Sequence, residues 1–157
     1  MGACAKGCNI QLQEGSGTNQ YGSGRAGGAP LEIAEVRAAA TERPAWALLT
    51  LDIRNAFGQV QWTDALNATA ARVPRFAVPL AMMWRGGAGI PVYAETPEGP
   101  WAEFRVYAGV VQGSQEGSPV FCVVIATVLD AVLRDPALRG NRNHHGLYID
   151  AWVMQVP

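Results

Sequence analysis

The stretch LTLDIRNAFGQV, residues 49–60, joins an apolar run to a single carboxylate. The surrounding segment AWALLTLDI (45–53) is short and almost entirely apolar, which is typical of a buried β-strand. Asp52 stands at the end of that strand, and NAFGQV (55–60) predicts a turn after it. An Asp at a strand end most often forms a turn or caps a helix, so Asp52 alone does not indicate chemistry.

A second strand-end carboxylate lies in GLYIDAWVMQV, residues 146–156. This stretch predicts a hairpin in which Asp150 interrupts two apolar runs. In an antiparallel sheet the strands that carry Asp52 and Asp150 can be neighbours. Two carboxylates at adjacent strand ends repel each other unless a cation lies between them, and hard oxygen ligands that leave room for water and phosphate favour Mg²⁺. On pattern alone, turn formation remains the simpler interpretation of each Asp.

Composition places the chain among ordinary folded domains. Its 157 residues suffice for one domain with a core, and 49% are hydrophobic while 16% are charged. The net charge of −1 argues mildly against a large nucleic-acid-binding face. No apolar run reaches the roughly 18 residues that a membrane-spanning helix needs. The N-terminus lacks the apolar centre of a signal peptide, so we expect an intracellular protein of the cytoplasm or nucleus, with no membrane association.

The pattern along the chain predicts a Gly-rich, flexible or partly ordered segment over residues 1–28 and a folded domain over 29–157. Within the domain, Thr63 is a candidate helix cap, and Ser118 is another, placed just before Pro119. Helices and strands do not strictly alternate, which favours an α+β fold with an antiparallel sheet of the split βαβ kind. The predicted helices cover 29–44, 62–73, 75–87 and 119–133, and the predicted strands cover 45–53, 88–96, 101–108 and a hairpin over 147–156.

Four short motifs in this order resemble those of reverse transcriptases. LTLDIRNAFGQV (49–60) resembles the first catalytic motif, which is an apolar strand, Asp, an apolar residue, two variable residues and Ala-Phe. GVVQGSQEGSPVF (109–121) resembles the second motif, and YIDA (148–151) resembles the third. QYGSGRAGGAPLEI (20–33) resembles the fingers segment of non-long-terminal-repeat retroelements. The ordered set spans nearly the whole chain and is much more specific than any one motif.

The resemblance implies an RNA-directed DNA polymerase domain of the non-long-terminal-repeat retrotransposon type. It implies a polymerase palm-like split βαβ antiparallel sheet with helices packed on one face, plus part of the fingers, over residues 29–157. We expect the thumb to be absent. The implied partners are an RNA or DNA template with its primer, a deoxynucleoside triphosphate, and other domains of a retroelement polyprotein.

By the same resemblance, Asp52 and Asp150 would be the catalytic residues and would bind two Mg²⁺ (or Mn²⁺) ions. The backbone carbonyl of Ile53 would assist Asp52 as a metal ligand. A two-metal site stabilises both the attacking and the leaving oxygen of a phosphoryl displacement.

Four further residues would contact substrate if the resemblance holds. Phe57 would lie against the sugar 2′ position, or it is simply a core residue. Gln112 and Gly113 would lie near the incoming nucleotide and the template, or Gln112 is a loop hydrogen-bonder. Tyr148 would pack beneath the primer end, although it also suits any half-buried strand.

Three departures from the family pattern bear on catalytic activity, and the expected absence of a thumb is one of them. The second Asp of the third motif is replaced by Ala151, and four residues (114–117, SQEG) stand where the second motif usually has three. The sequence therefore predicts template-directed DNA synthesis by two-metal nucleotidyl transfer, in an incomplete or degenerate copy. One alternative is an inactive palm-fold protein that retains at most nucleic-acid or partner binding. The other is an unrelated α+β domain.

Overall fold

The structure, a computed structural model, describes residues 9–84, 88–97, 99–112, 114–134, 145–148 and 151–156. Helices and strands are mixed in the order that defines an α+β fold, as predicted. The helices are α1 (Asn9–Gly15), α2 (Gly28–Glu42), α3 (Ala56–Gln59), α4 (Trp62–Arg72), α5 (Pro74–Met83) and α6 (Gly117–Leu133). The strands are β1 (Ala47–Asp52), β2 (Ile90–Thr96), β3 (Gly99–Val106), β4 (His145–Tyr148) and β5 (Ala151–Val156).

The larger sheet is antiparallel, with strand order β1-β5-β4. Strand β1 pairs with β5 from Ala47 opposite Val156 to Asp52 opposite Ala151. The chain leaves β1, forms several helices including α6, and returns as the hairpin β4–β5, which confirms the split arrangement predicted from the sequence. Helix α2 packs against both hairpin strands. Strands β2 and β3 form a separate two-stranded antiparallel sheet.

Strand β1 is not buried, and the prediction of a buried strand over 45–53 is wrong in this respect. Every residue of β1 is exposed, and Leu48, Leu49 and Leu51 keep 48%, 40% and 42% of their surface accessible. The reason is positional. Strand β1 is an edge strand with one described neighbour, and α2 contacts the hairpin strands instead. An apolar run predicts a strand, but it does not determine whether another element packs over that strand and buries it.

The buried core lies among the helices. Helices α4 and α6 pack on each other, α5 packs on α4, and Phe76 and Phe121 are almost fully enclosed between them. The rings of Trp62 and Trp84 stack with their centroids 5.2 Å apart. These two tryptophans are therefore packing residues, whereas Trp101 on β3 is 65% exposed.

Helix α1 is a finding that the Gly-rich composition of residues 1–28 does not predict. Its Leu12 is buried, and α1 packs on α6. The guanidinium of Arg72 on α4 holds the two together, because it donates to the Gly15 carbonyl at 3.1 Å and to the Ala126 carbonyl at 3.0 Å. The same group forms an ion pair with Asp130 on α6.

Helix starts differ from the predicted caps. Helix α4 begins at Trp62 with Gln61 at the N-cap, and α6 begins at Gly117 with Glu116 at the N-cap. Neither N-cap makes a side-chain capping bond, so the roles predicted for Thr63 and Ser118 are wrong. The turn predicted after Asp52 contains one turn of helix, α3. Among the described helices, none is long and apolar enough to cross a membrane.

Candidate active site

An open cleft of about 390 Å³ lies at the end of β1. Its described lining comes from two segments that are far apart in sequence, 52–57 and Gln112. The lining includes Asp52, Ile53, Phe57 and Gln112, which are residues assigned to the site by the sequence. The structure thus brings these predicted site residues to one place.

The backbone turns sharply at Asn55 as it leaves the strand. Asn55 has φ 52° and ψ 39°, the left-handed conformation that Asn tolerates better than most residues. Ala56 follows as a buried residue and begins α3. This reversal keeps Asp52 in solvent while it directs the chain into the helical core.

Three hydrogen bonds fix the second segment against the first. The amide of Gly109 donates to the Val60 carbonyl at 2.7 Å, and the amide of Val110 donates to the Phe57 carbonyl at 2.9 Å. The indole Nε1 of Trp62 donates to the Gly109 carbonyl at 2.8 Å. These bonds set the position of the loop that carries Gln112 into the cleft.

Gly109 is required at this crossing for two reasons. Its φ of 86° lies in the left-handed region, which a side chain disfavours. A Cβ at this position would also lie 3.1 Å from the Phe57 carbonyl oxygen, tighter than ordinary van der Waals contact. The close approach of the two segments therefore depends on the absence of a side chain.

Phe57 belongs to the core and to the cleft at once. Its ring stacks on Phe121 of α6 with centroids 4.7 Å apart and an interplanar angle of 20°. It is half-buried and lines the cleft. Packing thus holds the ring in a defined place, whether or not it also contacts a sugar.

The extra residue of the second motif lies in a closed turn before α6. Ser114 Oγ donates to the Val111 carbonyl at 2.8 Å and accepts from the Gly117 amide at 3.0 Å. The backbone passes so closely that a Cβ on Gly117 would lie 2.2 Å from the Val111 oxygen. Gly113 lies outside the described residues.

Asp52 faces an alanine across the sheet. Its direct backbone partner is Ala151, which also pairs with Tyr148 on the other side. Residues directly opposite in an antiparallel pair have Cβ atoms about 4.5–5.5 Å apart on one face. The covalently adjacent Asp150 lies outside the described residues. Within the described part of the chain, no group of three or more His, Cys, Asp or Glu side chains is placed to hold a metal, so the described part of the cleft supplies one carboxylate.

Comparison with known proteins adds evidence on the fold. No protein-family model matches the chain, and no curated protein matches it. Among solved structures, it is similar to apo telomerase from Candida tropicalis truncated from the C-terminal domain, with a TM-score of 0.68 and 9% sequence identity. The alignment covers 99% of this chain and 34% of that one, so the chain spans about a third of the telomerase.

The small antiparallel sheets and packed helices are compatible with a partial polymerase palm-like fold. At 9% identity the likeness concerns the fold and not the chemistry of the cleft.

Sequence reasoning missed three residues that shape the cleft. Arg54 and Asn55 occupy the two variable positions of the first motif, which gave no reason to select them. Trp62 could not be selected from the sequence, because its bond to the Gly109 carbonyl joins positions 47 residues apart.

Proposed function

We propose that this chain is a reverse-transcriptase-like domain of the non-long-terminal-repeat retrotransposon type. Its reaction would be template-directed DNA synthesis by two-metal nucleotidyl transfer, carried in an incomplete or degenerate copy. The observation that supports the proposal most strongly is the cleft itself. In a reverse-transcriptase-like fold, it joins Asp52 to Phe57 and Gln112 at the end of one strand.

The proposed metal ligands are Asp52, the backbone carbonyl of Ile53, and Asp150. Asp52 and Ile53 fit the role, since both are exposed and both line the cleft. Two Mg²⁺ (or Mn²⁺) ions held there would stabilise the attacking and leaving oxygens of phosphoryl transfer. The chain's own contribution is to hold hard oxygen ligands at the end of a strand, where water and phosphate can reach them.

The proposed substrate contacts follow the lining of the cleft. The Phe57 ring would exclude a ribose 2′-hydroxyl by shape, and its stack on Phe121 would keep the ring from moving aside. Gln112 and Gly113 would contact the incoming nucleotide and the template. Tyr148 would lie beneath the primer end.

The proposed partners are an RNA or DNA template with its primer, a deoxynucleoside triphosphate, and other domains of a retroelement polyprotein, in an intracellular compartment. Duplex affinity depends mainly on cationic contacts to phosphate. In this chain, 13 acidic residues offset the 12 basic ones, for a net charge of −1. We therefore propose that basic surfaces elsewhere in a complete polymerase would hold the duplex.

A second candidate function is a palm-fold protein that binds nucleic acid or a partner without catalysis. The pairing of Asp52 with Ala151 favours it, because a methyl group stands where the third motif keeps an acid. A methyl group supplies neither charge nor a ligand to a metal.

Primer extension separates the two functions. The chain would be assayed on primed RNA and primed DNA with Mg²⁺ and with Mn²⁺, beside Asp52→Asn. Extension by the native chain that Asp52→Asn abolishes would support the polymerase. Mn²⁺ binding, measured by electron paramagnetic resonance, tests the metal site apart from turnover. Asp52-dependent Mn²⁺ binding without extension would favour the inactive protein, and the loss of neither property in Asp52→Asn would contradict the proposed metal site.

A further inference from the structure

Arg54 is a basic side chain in the described lining of the cleft, two residues after Asp52. It is exposed. Within the part of the chain that the structure describes, it forms no ion pair, whereas Arg72 and Arg105 each pair with a carboxylate. Among the described residues, no carboxylate competes with a cleft ligand for its donors.

We propose that Arg54 makes this cleft a binding site for the polyphosphate of a nucleoside triphosphate. The inference rests on the proposed function, which makes the cleft a nucleotide site, and it names the residue that would recognise the charged part of the substrate. The resemblance to reverse transcriptases assigns no role to Arg54, because the first motif is variable at this position. The location in the cleft and the absence of a described ion pair support the assignment.

The chemistry of the side chain fits a polyphosphate. A guanidinium presents five N–H donors in a rigid fork and binds phosphate oxygens in pairs. The side-chain amide of Asn55, which lines the same cleft, adds another donor. Asp52 in this cleft repels an anion, and the positive charge of Arg54, two residues away, offsets that repulsion when no metal is bound.

The charge of the whole chain makes a local site necessary. With a net charge of −1, the protein has no general attraction for polyanions. Arg25 is a weaker candidate, since its guanidinium lies 4.4 Å from the Tyr21 ring centroid and 3.9 Å from Glu35. Arg54 combines exposure with a position beside the predicted site residues.

The test measures binding of inorganic tripolyphosphate to the full chain by isothermal titration calorimetry, with a chelator present to remove divalent metals. The variants are Arg54→Gln, Arg54→Lys, and the matched control Arg37→Gln, which removes an exposed arginine from α2. Thymidine, which has no phosphate, is the ligand control. Circular dichroism melting of each variant shows whether the fold is retained.

We expect Arg54→Gln to raise the tripolyphosphate Kd at least about tenfold, Arg54→Lys to give an intermediate Kd, and Arg37→Gln to leave it unchanged. Thymidine binding should not depend on Arg54. An equal loss in Arg37→Gln would show generic charge attraction and overturn the inference. So would an unchanged Kd in Arg54→Gln, or no tripolyphosphate binding by the native chain.

A second titration separates this inference from the proposed function. Thymidine triphosphate is titrated with and without Mn²⁺ into the native chain and Asp52→Asn. If Mn²⁺ fails to tighten binding to the native chain, the metal site fails. The inference about Arg54 is tested separately, by the binding of tripolyphosphate in the absence of metal.

Discussion

Asp52 and Ala151 are direct backbone partners across the β1–β5 pair. The residue that departs from the third motif thus lies opposite the carboxylate of the first motif, on the same face of the sheet. A change at position 151 acts on Asp52 at short range, without any rearrangement of the strands.

Ala151→Asp should raise activity and metal affinity together. Unit charges about 4 Å apart at an effective dielectric near 20 interact by roughly 4 kcal/mol, which corresponds to on the order of 10³ in rate when it is realised in the transition state. Primer extension with Mg²⁺ or Mn²⁺ should therefore increase by up to about that factor.

The same variant makes a prediction that needs no turnover. Without metal, the new carboxylate opposes Asp52 and should lower the melting temperature, and added Mn²⁺ should restore it. Ala151→Asn is the matched control, because it has a similar shape and no charge. An equal response of the Asp and Asn variants to Mn²⁺ would argue against a metal bound at this strand end.

Trp62→Phe should loosen the loop that carries Gln112. The Phe ring can still stack on Trp84, but the Gly109 carbonyl loses its indole donor. A fully buried acceptor left unsatisfied costs about 1–3 kcal/mol, and this part-buried carbonyl should cost less because water can reach it in part. Hydrogen exchange should become faster at the Gly109 and Val110 amides, with a smaller change in α6.

Trp84→Phe is the control for that experiment, since it alters the same stack and leaves the indole bond of Trp62 intact. Faster exchange at Gly109 in Trp84→Phe to the same extent would mean that ring packing, and not the hydrogen bond, holds the loop.

Gly109→Ala should destabilise the fold by at least about 1–2 kcal/mol, the cost of a side chain in the left-handed region. The new methyl group would also press on the Phe57 carbonyl, so the cost rises if the two segments cannot separate. Urea unfolding measures the change. Gly99→Ala is a matched control for space, because Gly99 also has positive φ (138°) but a Cβ added there would meet no atom within 4 Å. Equal losses in both variants would show that backbone strain alone accounts for the effect.

Much of the fold could be predicted because its signals are local. The apolar run before Asp52 predicts a strand, and Pro119 in an apolar stretch predicts the start of α6 to within a few residues. The exposure of β1 could not be predicted in this way, because it depends on which helix covers which strand. Helix α1 was missed since its Gly-rich surroundings carry no helical period, and its position depends on Arg72 from a distant helix.

That the candidate site residues lie close together could be predicted only from the motifs. Asp52 and Gln112 belong to separate motifs, and the structure places both in one cleft. The hydrogen bonds that bring the two segments together, such as the one from the Gly109 amide to the Val60 carbonyl, are made by backbone groups. Backbone groups are common to nearly all residue types, so the sequence does not indicate these bonds. The roles of the site residues stay predictions.

Glu32→Gln should remove a pH dependence of stability that arises away from the cleft. Glu32 on α2 is 7% exposed, and its Oε1 has no hydrogen-bond partner among the residues that the structure describes. Burial, and next the nearby charge of Glu35, raise the pKa of the Glu32 carboxyl above the ordinary value of 4.5. The folded state therefore binds this proton more tightly than the unfolded chain does. That stabilising contribution is complete below pH 4.5 and is lost as the pH rises through the raised pKa.

Gln at position 32 resembles the protonated acid and does not titrate. The variant should match the native chain in free energy of unfolding below pH 4.5 and exceed it at neutral pH. Urea unfolding across this range measures the difference. Glu42→Gln, an exposed change on the same helix, is the matched control for the loss of one carboxyl group. If the free energy of unfolding of Glu32→Gln changes with pH as it does in the native chain, the carboxyl of Glu32 does not cause that pH dependence.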